Sequence, residues 1–361
     1  MTDIVIAGAG MAGLVAAAEA RLLGAQPVVF EKLERPGGSM RLSSGVIWRH
    51  RDFERFRAEC PEGDERLQHL LFERLDEDLS WLESLGAPVV ERETGNPLTI
   101  GTRFDPEGLT AALAEAAGDV RLGEPLREPP ASAAPSGGAA PLILATGGFG
   151  ASRDLLREHV TSEADHVLVR AAPGSTGDGL RIGLVAGART SAGLGEVYAR
   201  AMPAPPARVR PTEFVALSQL YARYANVTNE RGERHENATW SEVDTAQWMA
   251  RQPRARAWFR VESGALEERV RARSVGEMIA AAEAAGAPLE RDPDGVTVEC
   301  VAGVTTTIGG LAIDEHAQAA PGVFACGADA GGIATGGYAS GLAGAVVFGR
   351  QAARAALGEA A

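Results

Sequence analysis

Cysteine is scarce in this chain. The three present, Cys60, Cys300 and Cys326, stand far apart without CxxC or Cys/His spacing. That excludes a disulfide framework and a zinc site, no metal is expected, and each cysteine reads as a reduced packing residue. No charge-free apolar run approaches the roughly eighteen residues of a membrane span. Met1 leads directly into a β-branched segment, so no signal peptide is expected and the location reads as cytoplasmic. Positive charge is in deficit: a formal net charge of −13 repels a phosphate backbone and argues against nucleic acid as a partner. Aromatic residues make up only 5% of the chain against 45% hydrophobic, a balance that fits a globular α/β or helical protein and excludes a fibrous or disordered one. The 361 residues suffice for two ordinary domains or one large domain with an insertion, and two is the working number. Arginines are frequent from Arg200 to Arg273; a negatively charged substrate could use some of them, although a solvated surface is the plainer account of any one.

What is present is a strand, glycine turn and helix rhythm. Asp3 to Ala7 is a short apolar run, Gly8 to Gly13 is glycine-rich, Leu14 to Leu23 reads as a helix and Pro27 to Phe30 as a second strand, together a βαβ unit. Leu67, Leu70, Leu71, Leu75, Leu79, Leu82 and Leu85 recur at helical spacing and Gly86 stops them, which predicts a helix over 65–85. A further helix is predicted over 106–117 with Asp105 as its N-cap. Residues 123–141 are rich in Pro, Gly, Ala and Ser and read as a loop before a strand at 141–145. Thr146-Gly-Gly-Phe-Gly150 precedes a helix expected from about Ser152, and Thr176-Gly-Asp-Gly179 opens one at 180–186. The rhythm breaks from about Tyr198 to Cys300. It returns with a strand at 322–326, a glycine-rich loop at 327–337 and a helix at 340–356.

Gly8-Ala9-Gly10-Met11-Ala12-Gly13 lies between strand and helix, where its glycines allow a tight turn, close approach of a pyrophosphate and close helix packing. The helix N-terminus then faces the phosphates. Glu31 ends the second strand, where a carboxylate accepts ribose hydroxyls and repels a 2′-phosphate. These features predict a dinucleotide site that disfavours NADP. The backbone-rich loop Gly37-Gly38-Ser39-Met40-Arg41-Leu42-Ser43-Ser44-Gly45 follows soon after and suits a flavin lying beyond the ribose.

With GAGMAGL, Glu31, the 37–45 loop, ATGGFG at 145–150, TGDG at 176–179, NVTNERGERHE at 226–236, TIGGL at 307–311 and GVFACG at 322–327, the chain resembles the fumarate reductase, succinate dehydrogenase flavoprotein and 3-ketosteroid dehydrogenase group along almost its whole length. The resemblance implies an α/β fold: a Rossmann-like FAD-binding domain of the glutathione-reductase type at 1–197 and 300–361, with an inserted α+β cap at 198–299. It implies that Gly8, Gly10, Gly13 and Glu31 hold the adenosine and pyrophosphate, with Thr146, Gly147 and Gly148 beside them and Asp178 on the adenosine side. Gly38, Ser39, Ser44 and Gly45 would approach the isoalloxazine, and Gly341, Leu342 and Ala343 would offer amides to its O2 edge. Near the ribityl chain the group has Gly-Glu or Gly-Asn, whereas here Gly327 is followed by Ala328 and Asp329. Asp329 therefore takes that role only with a one-residue shift, or is a loop-solvated aspartate. Some members attach FAD through a histidine in the loop after the glutamate; Ser39 and Met40 stand there, so non-covalent FAD is expected, and His50 reads as a surface or structural residue.

In this group hydride passes between a substrate carbon and the flavin while an acid or base handles the second proton. Fumarate reductases clamp a dicarboxylate with histidine and arginine at places that hold Thr305, Thr306 and Tyr338 here, so fumarate and succinate are not expected. Tyr338 resembles the tyrosine that ketosteroid dehydrogenases set before the same helix to polarise or deprotonate a ketone; a packing aromatic is the bland account. Tyr198 and Arg200 are further catalytic candidates, with Tyr221, Tyr224 and His235 behind them. Arg200 could bind a carboxylate or serve as an acid, or merely pair with Glu196 one helical turn away, and His235 could be a turn histidine bonded to backbone. The expectation is an FAD-dependent dehydrogenase or ene-reductase acting on an activated C–C bond of a small ketone, cyclic or otherwise, or an acid. An O2-using oxidase or monooxygenase and a non-catalytic FAD-binding protein remain alternatives. No CxxCH haem motif occurs, so the electron donor or acceptor is expected to be a separate molecule.

Overall fold

The computed structural model describes residues 4–128 and 140–359, so most of the loop expected at 123–141 lies outside the described residues. The chain divides into two compact units: residues 1–152, 172–194 and 307–361 in one, and 153–171 with 195–306 in the other. Among the described residues no helix is long and apolar enough to cross a membrane, and no group of three or more His, Cys, Asp or Glu side chains could hold a metal ion. All three cysteines are buried and free.

The first unit is built on a six-stranded sheet in the order Gln318–Ala320, Val323–Ala325, Leu142–Leu144, Ile4–Ala7, Pro27–Glu31 and Asp119–Leu122. Only the first pair is antiparallel. The central strands are apolar runs, as a sheet covered on both faces requires; Ile4, Ile6 and Leu142 to Leu144 are fully buried. The helix Met11–Leu22 starts earlier than the sequence suggested because Gly10 is its N-cap. Small residues let it lie close against the C-terminal helix Gly341–Ala356: a Cβ on Gly349 would sit 2.8 Å from the Ala12 carbonyl oxygen. Arg350 of the C-terminal helix is buried between Glu19 (3.0 Å) and Asp78, and Arg354 pairs with Glu19 at 2.6 Å. Burial pushes the Asp78 carboxyl up to about 6 although Arg350 opposes the shift.

The long helix Glu65–Ser84 is capped by Asp64, and Pro106–Ala117 by Asp105, whose side chain accepts from the Gly108 amide at 2.6 Å. A three-stranded antiparallel sheet of Val46–His50, Thr99–Phe104 and Val89–Glu91 completes this unit.

The second unit is a mostly antiparallel sheet around the long strand Gly295–Thr307, which pairs with Arg256–Glu262, Leu289–Asp292, Val197–Pro203 and Leu168–Val169. Its limits differ from the expected 198–299. Leu168 and Val169 bond in parallel to Gly303 and Val304, which draws 153–171 into this unit, and the helix expected near Ser152 is observed here as Arg153–His159.

Candidate functional site

The fingerprint turn of the first unit depends on bare backbone. Gly8 has φ +102°, and a Cβ on it would lie 2.3 Å from the Ala145 carbonyl oxygen; a Cβ on Gly13 would meet the Gly8 carbonyl at 1.9 Å. Gly10 is different: a Cβ there would meet nothing closer than 4.0 Å, so it faces open space at the helix N-terminus. That N-cap carries no side-chain bond and the first turn holds no acidic residue, which is the arrangement an anionic pyrophosphate fits. Buried Glu31 accepts from the amides of Ala9 and Leu33, each at 2.8 Å. The 37–45 loop is tied to this turn, since the Gly37 amide donates to the Ala9 carbonyl at 2.7 Å and Gly38 lies over Gly10. Ser39 accepts from the Ala172 amide at 2.8 Å, the Ser44 carbonyl accepts from Arg103, and Gly45 adopts φ +74° against Phe104.

Thr146, Gly147 and Gly148 run beside the fingerprint turn because Leu142–Leu144 pairs with Ile4–Ala7. Asp329, fully buried, spends its carboxylate on this segment: it accepts from the amides of Thr146 and Gly148, the latter at 2.9 Å, and from the Thr146 hydroxyl at 3.1 Å. Burial raises its carboxyl above the ordinary range while these donors oppose the shift. A Cβ on Gly179 would come within 2.2 Å of that carboxylate, which accounts for the second glycine of TGDG. Asp178 pairs with Lys32 at 2.6 Å, and the same ammonium reaches the Thr176 hydroxyl at 2.6 Å. Lys32 was not singled out in the sequence, yet it directly follows Glu31 and is the chain's one lysine.

Tyr338 is half-buried before the C-terminal helix, and its hydroxyl accepts from the Gly341 amide at 3.4 Å. Ser340 caps the helix through the Ala343 amide at 3.3 Å. Of the three amides expected to face a flavin edge, those of Gly341 and Ala343 thus have protein acceptors, and Leu342 has none among the described residues. Trp48 packs edge-on to Tyr338, with ring centroids 5.9 Å apart.

In the second unit Arg200 lies on a strand, not a helix, which removes the alternative of a helical-turn pairing with Glu196. Strand alternation sets it on the same side as Tyr198: its Nε donates to the Tyr198 hydroxyl at 2.9 Å, and a second nitrogen donates to the Ser241 carbonyl. Burial favours the neutral phenol of Tyr198, but Arg200, Arg170 and Arg271 outweigh it and hold the hydroxyl below the usual tyrosine value. Arg223 bonds to Glu242 at 3.3 Å and stacks on Trp240, as does Arg271 at 5.4 Å. Arg271 reaches solvent, has no hydrogen-bond or ion-pair partner among the described residues and holds φ +59°. Desolvation and the nearby Arg200 pull its guanidinium below its ordinary value.

The lesser candidates resolve differently. Tyr221 is fully buried with an unbonded hydroxyl, which burial pushes well above the tyrosine range. His235 is no backbone-bonded turn residue; it faces Asp244 at 3.3 Å and stacks on Trp248. Thr305 is buried with its hydroxyl unpartnered. His50, expected at the surface or in a structural role, is buried with neither ring nitrogen bonded, and desolvation lowers it to about 4.

A parallel sheet with a glycine turn, an acidic strand end and the two facing glycine loops defines a dinucleotide-binding protein of the flavoprotein type. The family model described as FAD binding domain matches residues 3–113 and 128–344. The chain belongs to that family: it binds FAD and is an FAD-dependent oxidoreductase. No curated protein matches it. Among solved structures it is similar to 3-ketosteroid-Δ4-(5α)-dehydrogenase from Rhodococcus jostii RHA1 (TM-score 0.72, 17% identity, covering 98% of this chain and 96% of that one). It is similar also to 3-ketosteroid Δ1-dehydrogenase from Sterolibacterium denitrificans (0.70, 15%, 99% and 99%) and to a flavocytochrome c3 fumarate reductase (0.71, 21%, 98% and 78%).

Proposed function

We propose that the chain catalyses oxidation or reduction of an activated C–C bond next to the carbonyl of a ketone or an acid, with FAD held non-covalently. Bound FAD supplies the two-electron donor or acceptor. Gly8, Gly10, Gly13, Glu31, Thr146 to Gly148 and the 37–45 loop would hold it, and the first-turn amides of Met11–Leu22 would suit its anionic pyrophosphate. Asp329 acts by fixing Thr146 and Gly148, and Lys32 paired with Asp178 would flank the adenosine half.

The observation that carries the reading is the Tyr338 hydroxyl on the Gly341 amide at the start of the C-terminal helix. An N–H donated to the phenol oxygen steadies charge on that oxygen when its proton passes to or from a substrate carbonyl. In the second unit Tyr198, crowded by Arg200, is the other phenol suited to proton transfer, and unpaired Arg271 favours a substrate with an acidic substituent. A separate electron donor or acceptor completes the cycle.

Anaerobic incubation of the FAD-loaded protein with a panel of cyclic ketones, enones and keto acids tests the reading. The expected result is bleaching or recovery of flavin absorbance, slowed about 10²- to 10⁴-fold in Tyr338→Phe. Unchanged rates in Tyr338→Phe contradict the role of the phenol, and peroxide release on substrate addition in air supports an oxidase instead.

A further inference from the structure

The first unit carries an aromatic stack that ends on Tyr338. Phe56 is fully buried and lies 5.3 Å from the His50 ring; His50 meets Trp48 at 5.3 Å and 89°; Trp48 meets Tyr338 at 5.9 Å and 65°. Phe53 and Phe72 extend the packing behind Phe56. Trp48 and His50 share one face of the strand Val46–His50 because side chains alternate along it, while Ile47, just before Trp48, is buried on the other. The strand is seated by Gly101 opposite Trp48: a Cβ there would lie 2.1 Å from the Ile47 carbonyl oxygen and 2.7 Å from the Trp48 Cα. The buried imidazole makes no hydrogen bond, so it serves the stack as a ring and not as a donor or acceptor.

We propose that Trp48 is a positioning residue for the reaction: backed by His50 and Phe56, its ring fixes the Tyr338 side chain so that the hydroxyl stays on the Gly341 amide and is presented to substrate in one orientation. Edge-to-face packing of this kind is directional, and a proton-transfer group gains from being held within a fraction of an ångström. The proposal rests on the reading of Tyr338 as the acid–base residue, and it adds the residue that sets its geometry.

The chain has four tyrosines, so FAD-loaded protein labelled with ¹³Cζ-tyrosine shows each phenol separately, and Tyr338→Phe assigns the relevant signal without any substrate. Trp48→Ala is expected to move the Tyr338 chemical shift and its titration midpoint while Tyr198, Tyr221 and Tyr224 stay in place. Trp48→Phe and His50→Phe, which keep a ring, leave Tyr338 unmoved. Trp48→Leu, which keeps apolar bulk on the strand, reads the same as Trp48→Ala and replaces it if that variant does not fold. With a ketone that turns over, Trp48→Ala lowers kcat about tenfold at unchanged KM, and Trp48→Phe restores it. A Tyr338 signal indifferent to Trp48→Ala and Trp48→Leu overturns the proposal. Turnover indifferent to Tyr338→Phe overturns the acid–base reading instead, and the spectra still report whether Trp48 holds the ring.

Discussion

The two units treat charge in opposite ways. In the first, Arg350 and Arg354 are matched by Glu19 and Asp78, and the carboxylates of Glu31 and Asp329 accept from backbone amides. In the second, Arg200, Arg223 and Arg271 gather around Tyr198 and Trp240 with Glu242 as the acid among them. A balanced buried cluster holds a fold together, since removing one partner strands the other charge. A surplus of guanidinium with one member unpaired has no such use, and it is the arrangement that an incoming anion would complete. The lesson is that the candidate cofactor seat is made of backbone whose neighbouring charges already have partners, whereas the second unit keeps guanidinium charge without a matching acid.

The contrast can be broken most severely at the backbone. Gly13→Ala drives a methyl into the Gly8 carbonyl and is expected to abolish soluble, yellow protein, whereas Gly10→Ala, with open space around it, folds and loses flavin affinity; flavin absorbance per protein separates the two. Next in size is Arg350→Met, which strands buried Asp78, leaves Glu19 with Arg354 alone, and is expected to cost about 3–5 kcal/mol in denaturant unfolding. Arg271→Gln is expected to act oppositely, leaving stability within about 0.5 kcal/mol while raising KM for an acidic substrate about tenfold and sparing a neutral ketone. Equal loss on both substrates would remove the anion role.

The smallest effect is a pH dependence. His50 titrates near 6.5 when unfolded but at about 4 in the fold, so the folded state prefers the neutral ring. The stability this gives is present above 6.5 and is lost as pH falls toward 4. Asp78 runs the other way, its raised value contributing stability below about 3.8 that is lost as pH rises through 6. His50→Phe should therefore flatten the acid side of the unfolding curve relative to wild type between pH 6.5 and 4, and an unchanged slope would exclude His50 as its source.

Local chemistry made the nucleotide half legible. The GAGMAGL turn, the Asp105 cap and the stop at Gly86 are fixed by neighbours a few residues away, and the structure places them accordingly. Long-range partners were not legible. Asp329 meets Thr146 across 183 positions, and nothing in the sequence tells a carboxylate bound to amides from one facing a ribityl chain. The move of 153–171 into the second unit depends on a two-residue parallel pairing, too short to leave a pattern. The alternative that Arg200 pairs with Glu196 one helical turn away assumed a helix where Val197–Pro203 is a strand; the alternation of Tyr198 and Arg200 was the available signal. Trp48 carried a signal as well, an aromatic residue shortly after Gly45 on a predicted flavin-side loop, but its contact with Tyr338 comes from chain folding over hundreds of residues.

The most direct test is the visible spectrum of the purified protein before and after acid precipitation. The account predicts a yellow protein whose flavin passes into the supernatant and is identified as FAD. A pellet that keeps its colour would contradict non-covalent binding, and a colourless protein that FAD cannot reconstitute would contradict the cofactor seat and every role built on it.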